Sequence, residues 1–286
     1  MQPLTLCAAG CGQEGTLRCK RCSQVFYCTR ECQATAWPDH KGPCKAAAVA
    51  IAASAGTSIE LFNCKRHAES GDNEAQFDLA NRYKNGEGLA EDKIEAFKWY
   101  SRAAEGGNRN AQCNLGACYE SGDGITADAR EAVSWYTKAA KAGHAGAQSN
   151  LGACYENGSG IGVNLKEAAK WYLKAADAGQ ASAQYNLGNC YDIGNGVPLD
   201  KREAFKWYRK AAEKGVTEAQ CNLGLCFASG EGVGKDQKEA VKWYLRAANE
   251  GNKTAQYNLG LCYETGDGVP LDNSEALMWF NRSAAE

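Results

Sequence analysis

The chain has 286 residues, 44% of them hydrophobic, and its 32 basic and 34 acidic side chains leave a net charge of −2. That composition excludes a chain disordered throughout, and the balanced charge singles out neither nucleic acid nor an anionic membrane as a partner. The longest strongly apolar run, residues 46–53, is far shorter than the roughly 18–20 residues a membrane-crossing helix needs, so no membrane span is expected.

From the N-terminus, Met1 to Leu6 offers no basic region and no sustained apolar stretch. No secretory signal is read, and the expected location is cytoplasmic and/or nuclear. Seven of the 15 cysteines then fall between Cys7 and Cys44, in the pattern Cys7-x3-Cys11, Cys19-x2-Cys22, Cys28-x3-Cys32 and His40-x3-Cys44. Seven thiols and one imidazole make two tetrahedral sets, and short spacings let two ligands from one turn reach one Zn²⁺ ion. A disulfide knot would need an oxidising compartment and would leave a thiol over. Four protein ligands per ion leave no open coordination position, so both ions are expected to be structural. In so short a segment, metal binding, with an apparent free energy of about 10–16 kcal/mol, would supply most of the folding energy.

Residues 46–58 are alanine-rich and read as a linker. Residues 59–74 read as a degenerate capping helix, because Gly71 lies 36 before Gly107 while Asn63 and Cys64 stand where later units have Trp and an aromatic. From Ala75 onward one unit recurs. AQFDLANRYKNGEG at Ala75 is followed by AQCNLGACYESGDG at Ala111 and by related segments at Ala147, Ala183, Ala219 and Ala255, each 36 residues after the last. Trp99, Trp135, Trp171, Trp207, Trp243 and Trp279 repeat at the same interval. In the second unit Ala111, Leu115, Cys118 and Gly122 share one helical face, and a glycine turn leads to a second helix through Ala132, Trp135, Tyr136 and Ala139. Each unit is thus an antiparallel hairpin that must stack on its neighbours, an all-α, α/α superhelical solenoid over 75–286. The tryptophans are expected in the core, and the last unit stops before its closing glycine, leaving an apolar end face.

The third, seventh and tenth residues of each first helix vary between units and share the face opposite the core. In the later units they bring Tyr185, Asn189, Leu225, Tyr257 and Leu261 onto what should be the concave wall, where they either form a partner-binding groove or touch neighbouring helices. The fourth residue is Asn114, Asn150, Asn186, Asn222 and Asn258 in turn. That ladder either grips a peptide backbone or satisfies groups between stacked units. The thiols of Cys118, Cys154, Cys190, Cys226 and Cys262 lie on the buried face, where small-hydrophobe packing is expected. No H-E-x-x-H and no phosphate-binding G-x-x-x-x-G-K-[ST] occurs, and only His67 and His144 lie outside the N-terminal cluster, so no catalytic residue is expected.

The A-x-x-x-L-G-x-x-Y-x-x-G-x-G, A-x-x-W-Y and A-A pattern resembles Sel-one-like repeats, relatives of tetratricopeptide repeats, which implies a protein-binding scaffold. The N-terminal run, closest from Phe26 to Cys44, resembles the MYND-type zinc finger, with one more residue than usual between Cys7 and Cys11. That resemblance implies cross-braced binding of two zinc ions, one by Cys7, Cys11, Cys28 and Cys32, the other by Cys19, Cys22, His40 and Cys44. It also implies that Gln33 and Trp37 help bind a short proline-containing peptide, the alternative being that Trp37 packs on the finger itself. With six basic and three acidic residues in 1–45, seven thiolates and two Zn²⁺, the finger carries about no net charge, which speaks against nucleic acid. The expected function is a non-enzymatic adaptor joining a peptide held by the finger to a second protein held by the solenoid. The alternatives are a nuclear corepressor-type regulator and a self-associating scaffold.

Overall fold

The computed structural model describes residues 59–285 together with two short strands nearer the N-terminus, β1 (Leu17–Arg18) and β2 (Phe26–Tyr27). The strands pair antiparallel, Leu17 opposite Tyr27 and Arg18 opposite Phe26. The alanine-rich stretch 46–58 lies outside the described residues. Thirteen helices follow among them. They are α1 (59–69), α2 (Asn73–Asn85), α3 (Lys93–Glu105), α4 (Arg109–Ser121), α5 (Ala129–Lys141), α6 (Ala145–Asn157) and α7 (Leu165–Asp177), then α8 (Ala181–Ile193), α9 (Lys201–Glu213), α10 (Thr217–Ser229), α11 (Gln237–Asn249), α12 (Lys253–Thr265) and α13 (Asn273–Ala284). The chain divides into two compact units, Met1–Asp92 and Lys93–Glu286. In the second, each helix from α3 to α13 packs on the next in sequence, a stack of hairpins.

Local chemistry sets the helix ends. Asp128, Asp200 and Asp272 each accept two backbone N–H bonds at the start of α5, α9 and α13, satisfying donors that a helix leaves unpaired. Each even-numbered helix from α2 to α12 stops at a left-handed glycine, for example Gly122 at φ 80° and Gly230 at φ 81°.

The core holds the tyrosines rather than the tryptophans. Tyr100, Tyr136 and Tyr172 are wholly buried, whereas Trp99, Trp135, Trp171 and Trp243 are half-buried and only Trp207 and Trp279 are buried. This corrects the sequence expectation. In α5 the tyrosine follows Ala132 by four residues and precedes Ala139 by three, at the centre of the buried stripe, while the tryptophan sits at its edge. There its outer face receives a cation from three residues on: Lys138 Nζ lies 3.6 Å from the Trp135 ring centre, and every other repeat tryptophan has a Lys or Arg in the same relation. The glycine within each first helix makes room for the tyrosine, since a Cβ on Gly116 would stand 2.7 Å from the Tyr136 ring.

A second recurrent feature joins consecutive hairpins. The glutamine after the motif alanine is buried, or in Gln112 half-buried, and in four of these units its side-chain Nε2 donates to a carbonyl eight residues back: Gln112 to Ala104, Gln148 to Ala140, Gln184 to Ala176 and Gln256 to Ala248, at 3.0–3.1 Å. These carbonyls end the preceding helix and each already accepts the N–H of the glycine three residues on, so the glutamine adds a second bond that ties one hairpin to the next. Gln76 does the same to Ala68 between α2 and α1.

Candidate binding surface

The eight expected zinc ligands, Cys7, Cys11, Cys19, Cys22, Cys28, Cys32, His40 and Cys44, and the expected peptide contacts Gln33 and Trp37 lie outside the described residues. Among the described residues no cluster of His, Cys, Asp or Glu suits a metal ion. The donor set of the N-terminal segment, seven thiols and an imidazole, is chemistry that suits zinc.

The structure places the proposed groove residues on α8, α10 and α12. Leu225 and Tyr257 are exposed, at 42% and 51%, while Tyr185, Asn189 and Leu261 are half-buried. The Tyr185 ring lies 6.0 Å from that of Tyr208, and Tyr257 lies 5.5 Å from Phe280. The third-residue row is not a free face throughout: Cys113, Ser149 and Cys221 are buried. Cys113 sits in one cluster with Val133, Tyr136 and Cys154, so its own hairpin and the next enclose it. A helix in a stack is covered from three sides, and only the bulky members of the row reach past that cover.

Two members of the asparagine row bond within the protein, while the Asn258 amide nitrogen is buried without a partner. Asn114 hydrogen-bonds the Tyr100 hydroxyl and Asn222 that of Tyr208, each joining two hairpins. The partners are side chains rather than the backbone groups considered from sequence. The buried-face thiols behave as packing groups: burial, reinforced by nearby carboxylates, raises Cys154 to about 11 and Cys190 to about 12, so neither is a thiolate at neutral pH.

The tyrosine hydroxyls distinguish one place along this wall. Tyr136 donates to Glu120 at 2.6 Å and Tyr172 to Glu156 at 2.7 Å, so in these two hairpins the carboxylate is held by a buried phenol. In the next, Tyr208 donates instead to Asn189 Oδ1 at 2.7 Å. Asn189 stands where the earlier hairpins have Ala117 and Ala153, and the aspartate at the glutamate position is one methylene shorter. Asp192 is thereby free to meet Lys201 Nζ, which lies 2.9 Å from both Asp192 and Glu231. Asp192, Tyr208, Asn222, Leu225, Cys226, Ser229 and Glu231 line a cleft of about 280 Å³.

Of these, sequence reasoning named Leu225 as a groove contact, Asn222 as one of the ladder and Cys226 as a packing thiol, and missed the pairing of Asp192 and Glu231 through Lys201. A signal was present. Lys93 and Asp123 form an ion pair 30 residues apart, and Lys201 and Glu231 repeat that spacing three repeats further along the stack.

The Sel1 repeat family matches residues 73–108, 109–144, 145–180, 181–216, 217–252 and 253–286. The chain belongs to the Sel1 repeat family. The MYND finger family matches residues 7–44, the segment of the eight potential ligands, and a finger of this family binds zinc. Among solved structures, a Sel1 repeat protein from Oxalobacter formigenes is 35% identical with a TM-score of 0.69, the match covering 82% of this chain and 97% of that one. A protective antigen of uropathogenic Escherichia coli strains, displaying an SLR fold, is 38% identical with a TM-score of 0.74 over 78% of this chain and 48% of that one. The human histone-lysine N-methyltransferase SMYD3 is 50% identical over 34 residues, which are 12% of this chain and 8% of that protein. The chain therefore spans about half of the Escherichia coli antigen and a small part of the methyltransferase. Sel1 repeats and MYND fingers are protein-interaction modules, and this chain carries both.

Proposed function

We propose that this Sel1 repeat protein is a non-enzymatic adaptor that holds two partners at once, in the cytoplasm or the nucleus. The finger takes a short proline-containing peptide through Gln33 and Trp37, on a frame of two structural zinc ions. Cys7, Cys11, Cys28 and Cys32 hold one ion, and Cys19, Cys22, His40 and Cys44 the other. An indole face suits a proline ring, and a glutamine amide pairs with an extended backbone. The first-helix wall of the solenoid takes a second protein through Tyr185, Asn189, Leu225, Tyr257 and Leu261, with residues 59–74 capping the stack.

The observation that carries this reading is that Leu225 and Tyr257 are exposed on the first-helix wall, Leu225 in the lining of a cleft whose other walls are polar, whereas exposed apolar side chains such as Leu199 and Leu271 line no part of that cleft. The name of the SMYD3 relative favours a second reading, a nuclear regulator, which chromatin-associated partners would distinguish.

Affinity capture with quantitative mass spectrometry on the wild type, Trp37→Ala and the Leu225→Glu/Leu261→Glu double variant tests the adaptor. The expected result is that the two variants lose different partners. If all three folded proteins capture the same set, the two-site reading fails.

A further inference from the structure

The cleft at Leu225 is lined almost entirely by hydrogen-bond acceptors. The Tyr208 hydroxyl spends its proton on Asn189, and the Ser229 hydroxyl spends its own on the Leu225 carbonyl at 2.9 Å. The Asn222 amide faces the Tyr208 and Asn189 oxygens. The Ser229 oxygen in turn accepts the Glu231 N–H at 3.2 Å, so what remains at the surface is the pair of carboxylates of Asp192 and Glu231. The two carboxylates share one ammonium, Lys201, which stands 2.9 Å from each. The group leaves one negative charge uncompensated. Beside it Leu225 presents an exposed aliphatic face.

Acceptors without donors, a residual negative charge and an adjoining apolar wall define the complementary ligand. It is a cation with several N–H donors on an aliphatic stem. We propose that this cleft is the specificity pocket of the solenoid wall and that it receives an arginine side chain of the partner polypeptide, flanked by an apolar residue. The inference rests on the groove reading above and deepens it. The Lys201 ammonium bridges the two carboxylates with one bond to each, whereas a planar guanidinium with five donors can meet a carboxylate through two parallel bonds and still reach the other. Lys201 then acts as an internal competitor: it keeps the carboxylates in place in the free protein and yields them to the partner's arginine. Arginine is favoured over lysine, which would bring the same point charge that Lys201 already supplies.

The test uses the full chain and fluorescein-labelled peptides with a central Leu-Xaa-Leu, where Xaa is arginine, lysine, citrulline or glutamate, read by fluorescence anisotropy. The arginine peptide is expected to bind at least tenfold more tightly than the citrulline peptide, its neutral isostere. Asp192→Asn/Glu231→Gln should abolish that difference. Lys201→Ala should strengthen arginine binding severalfold, a gain that a purely structural role for the cluster does not produce. Circular dichroism melts of each variant confirm that it is folded.

If the arginine and citrulline peptides bind equally and both are lost in Leu225→Glu, the charge inference is overturned and the apolar groove stands. If no peptide binds, both fall. If Lys201→Ala weakens arginine binding as much as the carboxylate variant does, the competitor role is wrong.

Discussion

Gly152 shows how a single atom is excluded. A Cβ added there would lie 2.7 Å from the Tyr172 ring, which is itself fully buried. Alanine is the better helix former by roughly 1 kcal/mol, yet overpacking a fixed aromatic ring costs about 1–3 kcal/mol. Gly152→Ala should therefore be destabilising by urea denaturation, whereas Gly162→Ala, with nothing near its Cβ and no left-handed backbone, should be close to neutral. Replacing Gln148 by leucine should cost about 0.5–1.5 kcal/mol in the same assay, the net worth of one hydrogen bond, because the Ala140 carbonyl loses its bond to the next hairpin and keeps only that from the Gly143 N–H. Residue type was a good guide to the motif positions and a poor one to the tryptophans. Hydrophobic area argued that the larger ring should be innermost, but the position of Tyr136 on the Ala132–Ala139 stripe decided the matter. Asp192 was legible only as one of a varying row, because its role depends on a hydrogen bond that Tyr208 makes elsewhere.

At the scale of an element, α6 begins on an unusual cap. His144 Nδ1 accepts the N–H of Ala147 at 3.0 Å, which only an unprotonated nitrogen does. Burial, followed by the nearby Arg109, lowers the His144 pKa below its ordinary 6.5. A lowered native value means that the unfolded chain binds the proton more readily. The cap's contribution is thus complete above about pH 6.5 and is lost as pH falls through the native value. Urea melts between pH 8 and 5 should show this loss in the wild type and less of it in His144→Asn, which keeps a cap without the titration. The neighbouring α8 and α10 start on Gln180 and Val216 with no side-chain cap bond. Gln180→Asp should stabilise by about 0.5–1 kcal/mol in the same assay. The helices themselves were legible because the apolar period and the glycine turn after the first helix agree in every unit. The cap at His144 was not, since histidine carries no general signal for a helix start.

For the molecule as a whole, the zinc chemistry and the helical stack are separable. The second compact unit, Lys93–Glu286, holds no candidate metal cluster among its described residues. Excess chelator should remove the zinc bound by the N-terminal segment, two ions per chain by elemental analysis, while the helical circular dichroism melt of the stack stays where it was. A shift of that melt by more than a few degrees would show that the stack depends on the metal.

Because each helix of the stack packs on its sequence neighbours, the protein's length is adjustable in whole steps. Deleting residues 145–180 would splice His144 onto α8, where it becomes the cap that Gln180 does not provide. It would also bring Gln184 to the same eight-residue spacing from Ala140 that Gln148 now has. That shortened chain should fold cooperatively and keep its arginine preference. Deleting 181–216 instead removes Asp192, Lys201 and Tyr208 together, and should give an equally sound fold that no longer tells arginine from citrulline. Architecture is interchangeable along this chain, and identity is confined to one junction.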